Sequence, residues 1–408
     1  MDMERLRSYA ALIARMGINV QPGQDVVIRT EPEQLDFVKL LIEECYLAGA
    51  SKVMLEWRWT AAQRLDIQYQ TEETLGRVEP WAELRLKEFT KRLPANIYLD
   101  SDDPDGLAGV DQDKFSRARQ SQFKITRPYR DMMENKYQWC VAAVPGRAWA
   151  QKVFPGIPEE EAIEKLWEAI LDCCRLEGDA IGNWKEHNRK LKQRCDWLNS
   201  LKLRRLYYKS EQSGTDFNVG LMPQMLFMGG ADRPRLCAQF NANIPTEEVF
   251  TTPMKGDAEG IVYSTMPLSY RGVLIDGFWL RFEKGRVVEF HADKNEEALR
   301  LMLNMDEGAS MLGECALVPY DSPIKKSGIL FYSTLFDENA SCHLAMGNGY
   351  SSCLEDSEKY TVEEAHALGV NDSMIHEDFM IGAPDLSIIG LTEDGEKVVI
   401  FENGGWAK

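Results

Sequence analysis

The feature that most constrains how this chain can fold is a change of hydrophobic rhythm near residue 200. Before it, short apolar runs alternate with stretches of helical period. Residues 4–16 set Leu6, Tyr9, Ala10, Ile13 and Met16 on one helical stripe, stopped by Gly17. Val26-Val27-Ile28 then reads as a strand, 34–48 as a helix ending at Gly49, and 52–57 as a strand again. Further strands are expected at 96–99 and 138–144, with helices near 111–134 and 158–175. Alternation at this spacing implies a parallel sheet covered by helices. A polar helix, roughly 184–198, follows as a link. Beyond it, segments around 202–209, 215–220, 236–240, 260–264, 272–282 and 286–291 are short, β-rich and split by Gly, Pro, Asn or Asp. One helix, 295–305, interrupts them, with acids in its first turn, where the helix dipole favours them. The expected fold is α/β. An N-terminal α/β domain with a mainly parallel sheet spans 1–190, and a C-terminal mixed or antiparallel, β-rich α+β domain spans 191–408.

Several function classes fall away at once. The turns after the N-terminal strands hold neither G-x-G-x-x-G nor a P-loop, so that half reads as scaffold rather than nucleotide-binding domain. A net charge of −18 opposes nucleic-acid binding, which relies on clustered Lys and Arg. No segment has the ~20 apolar residues of a membrane span, and the first residues lack a signal-peptide core. The expectation is a soluble, cytoplasmic protein without membrane or nucleic-acid partners. Nine cysteines in no framework spacing read as reduced thiols. On extended chain Cys315 and Cys342 would point away from their neighbours Glu314 and His343, as small core residues.

The chemistry concentrates in the C-terminal half. The stretch 336–350, FDENASCHLAMGNGY, packs Asp337, Glu338, His343 and Tyr350 into what reads as an irregular loop. Downstream, His376-Glu377-Asp378 sets an imidazole and a carboxylate two residues apart, on one face if extended. Upstream, Glu247 and Glu248 sit between apolar positions of NIPTEEVF, and LGECAL buries Glu314 in an apolar run. A buried carboxylate needs a cationic partner, and the plain alternative for Glu314 is an arginine such as Arg281. Together these stretches offer two imidazoles, three or four carboxylates and a phenol. Such a set suits zinc, cobalt or manganese in a catalytic site, since closed structural zinc sites favour thiolates. More carboxylates than one ion needs suggest two ions with a carboxylate between them.

The runs NIPTEEVFTTP, LGECALVP, SGILFYSTLFDENASCHLAMGNGY and HEDFMIG resemble the aminopeptidase T/aminopeptidase S family of two-metal peptidases. The N-terminal half is similar too, in Gly23-Gln24 and in AVPGRAWAQKVFPG, although Gly146 stands where a Thr is more usual. The resemblance implies metal ligands at Glu248, Glu314, His343, Tyr350, His376 and Asp378, with Glu314 as the bridge. It implies catalytic roles for Glu338, as general base, and for Tyr350. It further implies two divalent ions per chain (zinc, cobalt or manganese), a metal-activated water, short peptides as substrates and a homodimer enclosing a restricted cavity. Two other readings stand beside it: a non-haem iron oxygenase using His376 and Asp378, and a non-catalytic binding scaffold. His187, His291 and His366 read as surface or structural residues, and Thr215-Asp216-Phe217 as a turn.

Overall fold

A computed structural model describes residues 2–231 and 237–408. The chain forms two compact units, Met1–Glu186 with Ala231–Pro245, and His187–Gly230 with Thr246–Lys408. The first is built on a five-stranded parallel sheet in the order 52–57, 25–30, 95–100, 139–143, 243–244. Its second strand, Asp25–Thr30, has Val26, Val27 and Ile28 fully buried, as expected of a strand covered on both faces. Tyr9 on the first helix links cover to sheet: its hydroxyl donates to Ala143 O and accepts from Ala143 N, both at 3.1 Å.

The sequence expectation holds for four strands of this sheet, and misses the short fifth strand, 243–244, and some of the helical cover. The first helix spans Met3–Leu12 and then widens into a π-turn over Ile13–Gly17. Helices Thr60–Tyr69, Glu72–Gly76 and Pro80–Arg92 carried no clean apolar stripe, and only Ile67, Gly76 and Phe89 in them are buried. The predicted strand at 236–240 begins at Leu236, outside the described residues; Phe240 makes only an isolated bridge position and the rest of the segment is irregular.

The second unit holds two sheets. One has nine strands, in the order 268–270, 273–283, 258–263, 216–220, 203–209, 387–392, 397–402, 405–406, with 286–294 paired to 273–283. The other has five strands, in the order 376–380, 343–347, 312–317, 249–251, 228–229, antiparallel throughout. Phe379, Leu344, Cys315 and Cys342 join the hydrophobic core on one side of this smaller sheet, and its other side carries the titratable groups. The stretch 336–350 is therefore not a loop. It runs as a helical turn at Thr334–Asp337, a 3-10 turn at Glu338–Ala340 and the buried strand His343–Gly347. Five apolar or small residues in that strand could not show their period, because both faces are buried. Among the described residues no helix is long and apolar enough to cross a membrane.

Candidate metal centre

Register alone gathers the candidate ligands. In the five-stranded sheet Ala345 lies opposite Glu314 on one neighbour and Asp378 on the other, and Gly347 lies opposite His376. His343, Ala345 and Gly347 are two residues apart, so they share a face, and Glu314, Asp378 and His376 stand on that face with them. Strand 343–347, between those two neighbours, offers a methyl and a hydrogen at positions 345 and 347, which leaves room between the flanking acids and imidazoles. Gly347 is required twice over: its φ is 102°, and a Cβ there would lie 2.2 Å from Ile375 O.

The distances make two groups. His343 Nε2 lies 3.2 Å from Glu248 Oε2 and 4.0 Å from Asp378 Oδ1. His376 Nε2 lies 3.1 Å from Glu314 Oε2 and 3.6 Å from Asp378 Oδ1. Glu248, Glu314 and His343 bring ligand atoms within 4.8 Å of one another, and so do Glu314, His376 and Asp378. Glu314 belongs to both. The rings are aimed from behind by main chain: His376 Nδ1 is 2.7 Å from Asn348 O, and His343 Nδ1 is 3.3 Å from Ser341 O. Such backing turns each Nε2 toward the carboxylates, as it does for metal-bound imidazoles. Tyr350 reaches the same place, with its hydroxyl 3.2 Å from His376 Nε2 and its ring centroid 4.8 Å from that of His376. Glu338 is buried in the adjoining 3-10 turn, where Asn339 Nδ2 donates to its Oε1 at 3.3 Å. It stands outside both ligand groups.

The electrostatics are those of a crowded anionic cage. Burial pushes the Glu314 carboxyl up to about 7, opposed by its bond to His376 and helped by Glu248 and Asp378. Glu338 goes well above the usual range by burial and by the charges of Asp378, Glu248 and Glu314. Burial lowers an imidazole, yet the hydrogen bond and charge of Glu248, with Asp378 and Glu314, lift His343 to about 9. His376 is raised well above its ordinary value, because Asp378 and Glu314 outweigh its burial. Asp378 alone is lowered: burial raises it, but His376 and His343 pull harder. Left to itself the cluster balances its charge with protons.

This donor set fits divalent cations. Asp378 Oδ1 is buried with no hydrogen-bond partner, although it lies between two imidazoles. A buried carboxylate oxygen in that state is costly unless a cation meets it. The arginine alternative for Glu314 fails, because Arg281 pairs with Glu283 and Glu289 at the surface. The other histidines lie elsewhere: His187 Nε2 is 2.7 Å from Thr246 O, His291 pairs with Glu296 and Asp293, and His366 lies 3.9 Å from Asp372. Thr215 precedes a strand, Asp216–Gly220, that contains Asp216 and Phe217. Glu377 points to the opposite face from His376 and Asp378, and burial with the nearby Asp378 lifts it to about 7 against Arg271.

Sequence reasoning missed the supporting groups. The carbonyls of Asn348 and Ser341 leave no trace in side-chain identity. Asn339 also went unremarked. It accepts Glu247 N at 2.6 Å and donates to Leu335 O at 3.0 Å, tying the Glu248 segment to the turn that bears Glu338. Its only signal was an amide beside two acids.

The sequence profile of the family described as thermophilic metalloprotease (M29) matches residues 2–406. Aminopeptidase AmpS of Bacillus subtilis is 40% identical over 406 residues, covering 99% of this chain and 98% of its own. Aminopeptidase T of Thermus aquaticus is 38% identical over 408 residues, covering 99% and 98%. Wild-type AmpT from Thermus thermophilus superposes with a TM-score of 0.89 at 36% identity, over 99% of each chain.

Proposed function

This chain belongs to the M29 family of thermophilic metalloproteases, as a metal-dependent aminopeptidase, and from that premise we propose that it removes N-terminal residues from short peptides at a two-ion centre. The observation that carries the two-ion reading is the membership of Glu314 in both ligand groups, at hydrogen-bond distance from one imidazole and within one cluster with the other. Glu248 and His343 would hold one ion, His376 and Asp378 the other, with Glu314 between them. Tyr350 would complete or cap the shell on the His376 side. When bound, such ions polarise a scissile carbonyl and acidify an attacking water.

The protein's own groups supply the rest. The carbonyls of Ser341 and Asn348 keep each Nε2 aimed inward, so little reorganisation is needed as substrate arrives. Glu338, outside the ligand groups but buried in the adjoining turn, would take and return the proton as general base and acid. The phenol of Tyr350, its hydroxyl 3.2 Å from His376 Nε2, would steady the developing oxyanion. The enzyme acts as a cytoplasmic homodimer whose restricted cavity admits short peptides. Family membership disfavours the iron oxygenase and the inert scaffold.

The test joins metal analysis to a substrate panel. Two zinc, cobalt or manganese ions per chain, with chelator-sensitive release from aminoacyl arylamides, is the expected result. One ion per fully active chain overturns the two-ion reading. Efficient trimming of a folded protein, or an active monomer in light scattering, overturns the enclosed dimer.

A further inference from the structure

We infer that Thr252 is a positioning residue for Tyr350, its hydroxyl fixing the backbone from which the phenol reaches His376. The inference rests on the role given to Tyr350 above. Tyr350 follows the strand His343–Gly347 and precedes the 3-10 turn Ser351–Cys353, so it lies in no sheet ladder. Its amide donates to Thr252 Oγ1 at 2.8 Å, and the same hydroxyl donates to Tyr350 O at 3.3 Å, where Cys353 N also binds at 3.2 Å. One hydroxyl can accept and donate at once, which no apolar side chain of that size can do. Thr252 is fully buried, so no water competes for these bonds.

The surrounding packing leaves the threonine little freedom. A Cβ on Gly349 would lie 2.7 Å from Thr252 Cγ2, so the methyl sets how closely the Tyr350 segment approaches. Phe250, two residues before Thr252, packs edge-on to the Tyr350 ring at 5.7 Å between centroids. Two residues earlier again, Glu248 meets His343. Alternate residues 248, 250 and 252 of one chain segment thus touch the carboxylate–imidazole cluster, the phenol ring and the phenol's backbone. A shift of Thr252 displaces the hydroxyl that lies 3.2 Å from His376 Nε2.

The experiment compares Thr252→Val, Thr252→Ser, Tyr350→Phe and the Thr252→Val/Tyr350→Phe double variant, each in the full chain loaded with cobalt. Expected for Thr252→Val is unchanged cobalt content and KM, a kcat lower by about 10- to 100-fold, and an altered visible cobalt spectrum, since misplacement near the chemistry costs on that scale. Thr252→Ser should restore most of the rate and the spectrum. The double variant should be no slower than Tyr350→Phe. Normal kcat and spectrum in Thr252→Val, with only a lower melting temperature, marks a purely structural residue and overturns the inference. So does a double variant whose loss is the product of the two single losses. If Tyr350→Phe keeps full activity, the catalytic role of Tyr350 fails separately, and the cobalt spectrum of Thr252→Val then decides positioning.

Discussion

The two units bury acids equally well and satisfy them differently. In the first, Asp25, Glu31 and Glu44 are 7%, 8% and 5% exposed, and each has a built-in partner. Asp25 pairs with Arg92 and accepts from Ser51 Oγ, Glu31 accepts from Thr60 N and Oγ1, and Glu44 faces Arg7 and Arg15. In the second, Glu248, Glu314, Glu338 and Asp378 are 4–8% exposed, and their cationic company is two imidazoles. Buried charge is tolerated only when compensated. The first unit compensates through its own arginines and hydroxyls, whereas the second keeps a deficit that divalent cations fill. The lesson is that an acid's burial says little until its partners are counted.

The sharpest way to break this comparison is Glu314→Gln. Turnover should fall by about 10³-fold or more, the scale of losing a preorganised charge in a closed site, with bound metal lost and the fold kept. Full activity with both ions present removes Glu314 from the bridge. The same substitution should raise the melting temperature of metal-free protein, because it deletes a buried acid whose pKa burial has lifted to about 7. Glu338→Gln is expected to lower kcat by roughly 10²–10⁴-fold while both ions and KM persist, as for loss of a general base. Metal analysis beside kinetics decides it: loss of metal, as expected for Glu248→Gln, makes Glu338 a ligand.

Changing the pH should move the two states oppositely. In the metal-free protein His343 is raised to about 9, a stabilisation present below its ordinary pKa and lost as pH rises through 9. Glu314, raised to about 7, destabilises the fold progressively from the ordinary Glu range up to that value. Between the ordinary Glu range and pH 9 these two groups therefore make metal-free stability fall as pH rises. Metal affinity climbs over the same span, by about tenfold per pH unit for each proton displaced. Calorimetry in buffers of different ionisation enthalpy reads the released protons, and pH-independent affinity would show that the cluster does not hold them. The smallest effect belongs to the first unit. Glu44→Gln should leave kcat and metal content unchanged and cost about 1–2 kcal/mol of stability, the worth of partly exposed ion pairs to one buried acid. A loss of activity there would dissolve the contrast between the units.

The sequence by itself determined four strands of the parallel sheet and the four stretches that hold the candidate ligands. Val26-Val27-Ile28 and its companions had no other stable use than a covered strand, and two histidines among acids in a chain of five have few chemistries open to them. Period-two spacing already set His376 and Asp378 on one face. Tertiary structure decided what no single segment contains. Ala345 became the row between Glu314 and Asp378 only through strand register, which joins residues 31 and 33 positions away. Within 336–350 the strand His343–Gly347 has both faces covered, which erases the alternation that marks a half-exposed strand. Arg281 was excluded as a partner for Glu314 by a surface pairing that sequence cannot foresee. Thr252 met Tyr350 across 98 residues through one hydroxyl, and the carbonyls of Asn348 and Ser341 aimed the rings without any side-chain signature. Side-chain type is written locally, but register, burial and backbone donors are properties of the assembled sheet.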